Sequence, residues 1–326
     1  MAQIKKIVTN LPWQDYHKEL LEKAAPEAKV VYVPLKDAAM LQQEMVDATV
    51  AIILGRPDVS SAKELAWMHW DAAGLDGIAQ KDYIEAGFAI TGSAGRNAEA
   101  LAEHVIYFMF LHAYHTRDAL AAQAAHQWGG YANPNDLHAL YAQTIGIVGL
   151  GNTGRALAKR AKALEMNVLA YDRYDTPCND VDILYSEAQG NTVDDMIPKC
   201  DFIVMCCSLT DKTYHLLSTK QFAEMKANTV VVNIGRGKTI DTEALLDALK
   251  SGKIAGASLD TFEQEPLPAD SPVWDAPNLY ATPHLTPGVP DKLMRSLRII
   301  IENINHFHKD EPLMNQLKPE DAFTKR

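Results

Sequence analysis

The segment Gly149-Leu150-Gly151-Asn152-Thr153-Gly154 constrains this chain more than any other. It follows the β-branched run Thr144–Val148 and opens directly into Arg155-Ala156-Leu157-Ala158-Lys159, which has helical character. A G-x-G-x-x-G set between a strand and a helix is the arrangement that binds dinucleotides. Gly149 permits the tight turn, Gly151 lets the backbone approach a pyrophosphate, and Gly154 lets helix and strand pack closely. N–H groups at the helix start then face the phosphates, where the helix dipole favours negative charge. Asp172 stands 18 positions beyond Gly154, at the end of the next strand-like run. Its carboxylate suits the ribose hydroxyls and repels a 2′-phosphate, which favours NAD over NADP; Arg173 beside it pulls the other way.

The chain on either side alternates strand-like and helix-like segments, the pattern of parallel sheets with crossover helices. Before the loop, strands are expected at Lys6–Thr9, Lys29–Tyr32, Val50–Leu54, Trp67–Asp71 and Phe88–Thr91, with helices at Tyr16–Ala25 and Ala38–Asp47. One long helix is expected over Asn97–Gln127, buried all round in its middle, stopped by Gly129-Gly130 and followed by a polar loop at Asn133–His138. From Thr144 the strand-like runs are Thr144–Val148, Asn167–Tyr171, Asp201–Cys207, Thr229–Asn233, Ile254–Leu259 and Leu279–Thr282. Leu293, Leu297, Ile300 and Ile304 recur at helical spacing in a returning C-terminal helix. With 326 residues and roughly 100–200 residues per domain, about two domains are expected. The fold class is therefore α/β: two Rossmann-like domains, the cofactor domain inserted in a discontinuous, flavodoxin-like substrate domain. Residues 1–97 plus 291–326 form the substrate domain, and residues 98–290 the NAD-binding domain.

Three polar residues stand just past strand runs of the second series: Arg236 in Asn233-Ile-Gly-Arg-Gly237, Glu265 in Phe262-Glu-Gln-Glu-Pro266, and His284 in Thr282-Pro-His284. In an open α/β sheet the carboxyl ends of the strands face the ligand crevice. Singly, each has an ordinary explanation as a solvated charge or a core histidine. Jointly they offer an anion-binding fork, a carboxylate and an imidazole that can carry a proton near neutral pH.

These motifs, in this order, resemble those of the D-isomer-specific 2-hydroxyacid dehydrogenase family. The Gly149–Gly154 loop with Asp172, Asp260-Thr-Phe-Glu-Gln-Glu-Pro266, Ala73-Gly-Leu-Asp76 and the Asn97–His104 segment all fit, over nearly the whole chain. The resemblance implies an NAD-dependent enzyme that interconverts a small 2-oxo acid and its (D)-2-hydroxy acid. Arg236 would bind and polarise substrate, and His284 would exchange the proton, with Glu265 favouring its imidazolium form. It implies cofactor contacts from Gly149, Gly151, Asn152, Thr153, Gly154, Asp172, Cys207, Ser208, Thr213, Ile234 and Asp260, the last at the nicotinamide amide. Substrate carboxylate contacts fall to backbone N–H groups around Ala73 and Gly74, with Arg56 at the cleft mouth. The family's adenine-side loop commonly carries proline where this chain has Ser208. A cleft that closes by a hinge and a homodimer are also implied, with Val105–Leu111 either dimer core or ordinary intrachain core.

Charge and composition narrow the rest. A net charge of −11 argues against nucleic acid and anionic membrane partners. The N-terminus Met-Ala-Gln-Ile-Lys-Lys-Ile-Val lacks an apolar signal core, and Val105–Leu111 is too short to span a bilayer, so a cytoplasmic protein is expected. Cys178, Cys200, Cys206 and Cys207 show no zinc or disulfide spacing, which predicts free buried thiols and no metal site. Trp67, Trp70, Tyr107 and His112 could line a substrate side-chain pocket or belong to the core. Two rival functions share the fold: a non-enzymatic NAD(H) sensor of the corepressor kind, and a formate-type dehydrogenase, whose relatives carry glutamine where Glu265 stands.

Overall fold

The fold was obtained as a computed structural model, in which residues 3–79, 81–129, 137–285 and 288–324 are described. The chain divides into two compact units, residues 1–97 with 289–326 and residues 98–288. The second crossing thus falls at 288/289 rather than 290/291. Val289 already belongs to the returning helix's lead-in, because its carbonyl accepts the Lys292 N–H at 3.2 Å.

The first unit runs β1 (Lys6–Thr9), α1 (Asp15–Ala24), β2 (Lys29–Tyr32), α2 (Ala38–Met45), β3 (Val50–Ile53), β4 (Trp67–Trp70), α3 (Lys81–Ile84) and β5 (Ala89–Gly92). All five strands are parallel, in the order β2-β1-β3-β4-β5. Side chains alternate across such a sheet, and a parallel sheet is covered on both faces. Accordingly Val8, Ala51, Ile53 and Met68 enter one core, and Ile7, Val50, Ile52 and Trp67 the other.

The second unit runs α4 (Ala98–Ala113), α5 (Thr116–Ala124), β6 (Thr144–Val148), α6 (Asn152–Ala163), β7 (Asn167–Asp172), β8 (Ile183–Ser186), β9 (Phe202–Met205), α7 (Thr219–Glu224), β10 (Val230–Asn233), α8 (Thr242–Lys250), β11 (Gly256–Leu259) and β12 (Leu279–Ala281). Its seven parallel strands are ordered β12-β11-β10-β9-β6-β7-β8. Chain order reverses between β6 and β9, which is where a doubly wound sheet opens a ligand crevice at its carboxyl edge. Helix α9 (Lys292–Lys309) then returns to the first unit, where Leu297, Ile300 and Ile304 join the core of Ile7, Val50, Ile52 and Trp67.

The two-domain α/β architecture agrees with the sequence pattern, and its differences have local causes. The single helix over Asn97–Gln127 is two, because His115 adopts a left-handed φ of 44°. Arg117 explains the break: its guanidinium donates to Leu279 O at 2.8 Å and lies 4.8 Å over the Tyr280 ring, so α5 is anchored to β12. Tertiary anchoring here outranks helix propensity. Helix α5 ends at Ala124, before Gly129. The stop at Gly130 and the loop expected from Asn133, as far as residue 136, lie outside the described residues.

The middle of α4 is not buried all round: Val105, Phe108 and Met109 are core, while Tyr107 is 53% exposed. Strand β8 has no counterpart in the sequence pattern; it is an edge strand with Ile183 exposed, so its sequence lacks a continuous apolar run. β9 stops at Met205, leaving Cys206 and Cys207 beyond it, yet they still pack into opposite cores. All four cysteines are free, but only Cys200 is fully buried. Among the described residues no helix is long and apolar enough to cross a membrane.

Candidate active site

The glycine loop spans the switch point. Gly149 has φ 97°, and a Cβ there would lie 2.7 Å from the Cys207 backbone nitrogen, so the loops after β6 and β9 meet closely. A Cβ on Gly154 would lie 2.1 Å from Gly149 O, which fixes how tightly α6 sits against its strand. Nothing lies within 4 Å of a Cβ built on Gly151, and no side chain caps α6. The first N–H groups of a twelve-residue helix therefore face an open cradle, which fits a pyrophosphate. Asp172 closes the loop's far side, accepting Leu150 N–H at 2.6 Å and Tyr174 N–H at 2.9 Å. A carboxylate has lone pairs left for a ribose hydroxyl after two such bonds. Arg173 is directed over the Tyr174 ring, 5.7 Å from its centroid.

Asn152 and Thr153 form the first turn of α6. Ser208 is exposed and its carbonyl accepts Thr213 Oγ1 at 2.7 Å, while Ile234 is buried just past β10. Arg236 follows on a pinned backbone: its carbonyl accepts Asn233 Nδ2 at 3.0 Å and Thr239 Oγ1 at 2.7 Å. Its own Nη1 donates to Gly235 O at 2.8 Å. Gly237 presses on the next loop so closely that a Cβ would lie 1.9 Å from the Phe262 carbonyl carbon. The Arg236 loop and the Phe262–Pro266 turn are thereby locked side by side.

That turn delivers Glu265. One carboxylate oxygen accepts Phe262 N–H at 2.8 Å, and the other lies 2.7 Å from His284 Nδ1. The two residues, 19 apart in sequence, are thus in contact, and both side chains keep solvent access. His284 has a left-handed φ of 52°. Asp260, 1% exposed, braces it from both sides, accepting Thr282 Oγ1 at 2.6 Å and Leu285 N–H at 3.1 Å.

Because Thr282 gives its proton to Asp260, its lone pair meets His104 Nε2 at 3.3 Å, which calls for the Nε2–H tautomer. Burial pushes the His104 imidazole below its ordinary value, against the pull of Asp260. No sequence signal singles out Thr282 or His104, since their contact joins residues 178 apart in the chain. A pocket of about 480 Å³, lined by Phe262, Leu267, Trp274 and Pro283, opens against the Glu265–His284 pair.

In the first unit Ala73 and Gly74 follow β4, and Arg56 is exposed past β3. Trp67 is fully buried core and stacks with Phe307 at 6.0 Å. Trp70 covers Gly77, and His112 bonds Ser258 Oγ at 2.9 Å on β11. These side chains serve packing in their own units, while the apolar pocket beside His284 uses others.

The fold and this constellation define a nicotinamide-dependent oxidoreductase of the CH–OH group. A profile of the family described as D-isomer specific 2-hydroxyacid dehydrogenase, NAD binding domain, matches residues 106–286, and the chain belongs to that family. It is 30% identical over 294 residues to a glyoxylate reductase of Korarchaeum cryptofilum, covering 89% of this chain and 86% of that one. A D-3-phosphoglycerate dehydrogenase of Methanocaldococcus jannaschii is 31% identical over 280 residues, 83% of this chain and 52% of its own. The D-isomer specific 2-hydroxyacid dehydrogenase from Xanthobacter autotrophicus Py2, solved with NADPH and MES, aligns with a TM-score of 0.82 at 25% identity, covering 99% of this chain and 100% of that one.

Proposed function

We propose that the protein reduces a small 2-oxo acid, glyoxylate among the first to test, to its (D)-2-hydroxy acid with NADH, and runs the reverse reaction. One observation carries this reading: the solvent-accessible His284 imidazole is held 2.7 Å from the Glu265 carboxylate, at the carboxyl edge of the sheet that bears the glycine loop. With Nδ1 committed to Glu265, Nε2 is the nitrogen that gives a proton to the C2 oxygen and takes it back in oxidation. Glu265 orients the ring through its contact with Nδ1.

Arg236 pairs with the substrate carboxylate and polarises the C2 carbonyl, with a charge that proton loss cannot remove. In the first unit, the backbone N–H groups of Ala73 and Gly74 are the candidates for a contact to the substrate carboxylate, with Arg56 a further candidate. When bound, NADH supplies the hydride to C2. The cradle of Gly149, Gly151, Asn152, Thr153 and Gly154 holds its pyrophosphate, and Asp172 its adenosine ribose. Cys207, Ser208, Thr213 and Ile234 flank it, and Asp260 meets the nicotinamide amide. Asp172 at the ribose favours NAD over NADP.

The exposed flank of α4 at Tyr107 suits a homodimer through that helix, which sedimentation of the intact chain tests directly. The function is tested by following NADH and NADPH oxidation against glyoxylate, pyruvate, hydroxypyruvate and bulkier 2-oxo acids. Turnover of at least one with NADH is expected. Tight NADH binding without turnover of any would overturn the reading in favour of a sensor, and formate-dependent NAD reduction would redirect it to the other rival.

A further inference from the structure

Strand β4 hands the chain to Asp71, Ala72, Ala73 and Gly74, the segment assigned above to the substrate carboxylate. Asp71 and Arg96 are each 8% exposed and form an ion pair in which Arg96 Nη1 donates to Asp71 Oδ1. Arg96 Nη1 also donates to Ser296 Oγ on α9 at 2.9 Å. Ser93 Oγ donates to the same Asp71 oxygen at 2.6 Å, while the Ser93 backbone N–H donates to Ala72 O at 2.8 Å. Ser93 therefore grips the segment twice, at the Asp71 side chain and at the next carbonyl. Stability alone does not account for a buried ion pair, since apolar residues of similar volume often serve as well.

The polar groups behind this clamp are ordered in one direction. Ser93 gives its proton to Asp71, so His69 Nε2, 3.0 Å away, donates to Ser93 Oγ. His69 Nδ1 then accepts from Thr91 Oγ1 at 2.9 Å, and Thr91 accepts Trp67 Nε1–H at 2.9 Å. The row runs from Trp67 to the carboxylate, each bond polarising the next. Burial holds the His69 imidazole down at about 4, so the ring is neutral, as this row requires. On its other side the segment is wedged: a Cβ on Gly92 would meet Leu75 Cδ2 at 2.7 Å and Ala72 O at 2.9 Å.

We infer that Ser93, Asp71 and Arg96 are positioning residues for the 2-oxo acid: by clamping the peptide at Ala72 they aim the Ala73 and Gly74 N–H groups at its carboxylate. The inference rests on the function proposed above. A group held equally in ground and transition state moves KM more than kcat. Ser93→Ala removes one grip and leaves the backbone bond, and Arg96→Lys keeps the charge but loses the rigid fork.

The test measures kcat and KM for the best 2-oxo acid, inhibition by oxamate, and NADH dissociation by fluorescence, in the intact chain. Ser93→Ala should raise KM and the oxamate inhibition constant together by about tenfold, with kcat within about threefold and NADH affinity unchanged. Arg96→Lys should fall between Ser93→Ala and Arg96→Met. A wild-type KM in Ser93→Ala overturns the inference, as does a parallel loss of kcat, NADH affinity and melting temperature. A wild type that turns over no 2-oxo acid overturns the underlying function, and this inference with it.

Discussion

Thr282→Val isolates what holds the imidazole in place. The Thr282 hydroxyl and the Leu285 N–H donate to Asp260 from either side of His284, at 2.6 and 3.1 Å. Between them His284 sits at φ 52°. That conformation costs a non-glycine residue about 1–2 kcal/mol. A hydrogen bond to a charged group contributes about 1.5–3 kcal/mol. Two such bonds outweigh the strain comfortably, while one only matches it. Valine keeps the shape of threonine and deletes the hydroxyl, so His284 leaves its working conformation for much of the time.

The expected result is a kcat lowered about two- to threefold, because a brace that only matches the strain leaves His284 in its working conformation about a third to half of the time. Thr282→Ser keeps the hydroxyl and should retain most of the activity. Steady-state rates at saturating NADH and 2-oxo acid measure this, with circular dichroism to show that the variant is folded. A folded Thr282→Val with wild-type kcat refutes the brace.

Three further outcomes follow from the same geometry. His284→Ala should cut kcat by about 10²–10⁴ while sparing NADH binding, as loss of a proton donor does; unchanged turnover removes the assignment. Asp172→Ser should weaken NADH binding and improve NADPH binding, read as the ratio of the two dissociation constants; an unmoved ratio shows that Asp172 is not at the ribose. Burial pushes the His112 imidazole from 6.5 to about 4, so the unfolded chain takes up a proton in that interval and the folded chain does not. Stability is therefore unaffected by this group above pH 6.5 and falls by up to roughly 3 kcal/mol as pH drops toward about 4, then levels off. Urea melts of His112→Gln should show a shallower acid slope over that interval, and an identical slope would contradict the burial argument.

The glycine loop and Asp172 are legible in the sequence because a pyrophosphate and a ribose demand fixed residue types at fixed offsets from one strand. β3 and β9 are legible for a different reason: strands covered on both faces read as unbroken apolar runs. Glu265 and His284 could be placed at strand ends from the sequence. Their contact, however, depends on a turn at Phe262–Pro266 that no periodicity encodes. The break at His115 was illegible because its cause, the docking of Arg117 on β12, lies more than 160 residues away in sequence. Asp71 with Arg96 was invisible as well, since the pair is made by two loops that only the sheet brings together.

Helix α9 closes the core of the first unit with Leu297, Ile300 and Ile304, whose partners Ile7, Val50, Ile52 and Trp67 are made far earlier. During synthesis the whole inserted unit, residues 98–288, leaves the ribosome between them. The domain that begins first must therefore finish last, waiting with the part of one greasy sheet face beside α1 uncovered until the closing helix arrives. A chain of this design depends on whatever shields that face during the wait, and its aggregation risk lies in translation more than in the finished molecule.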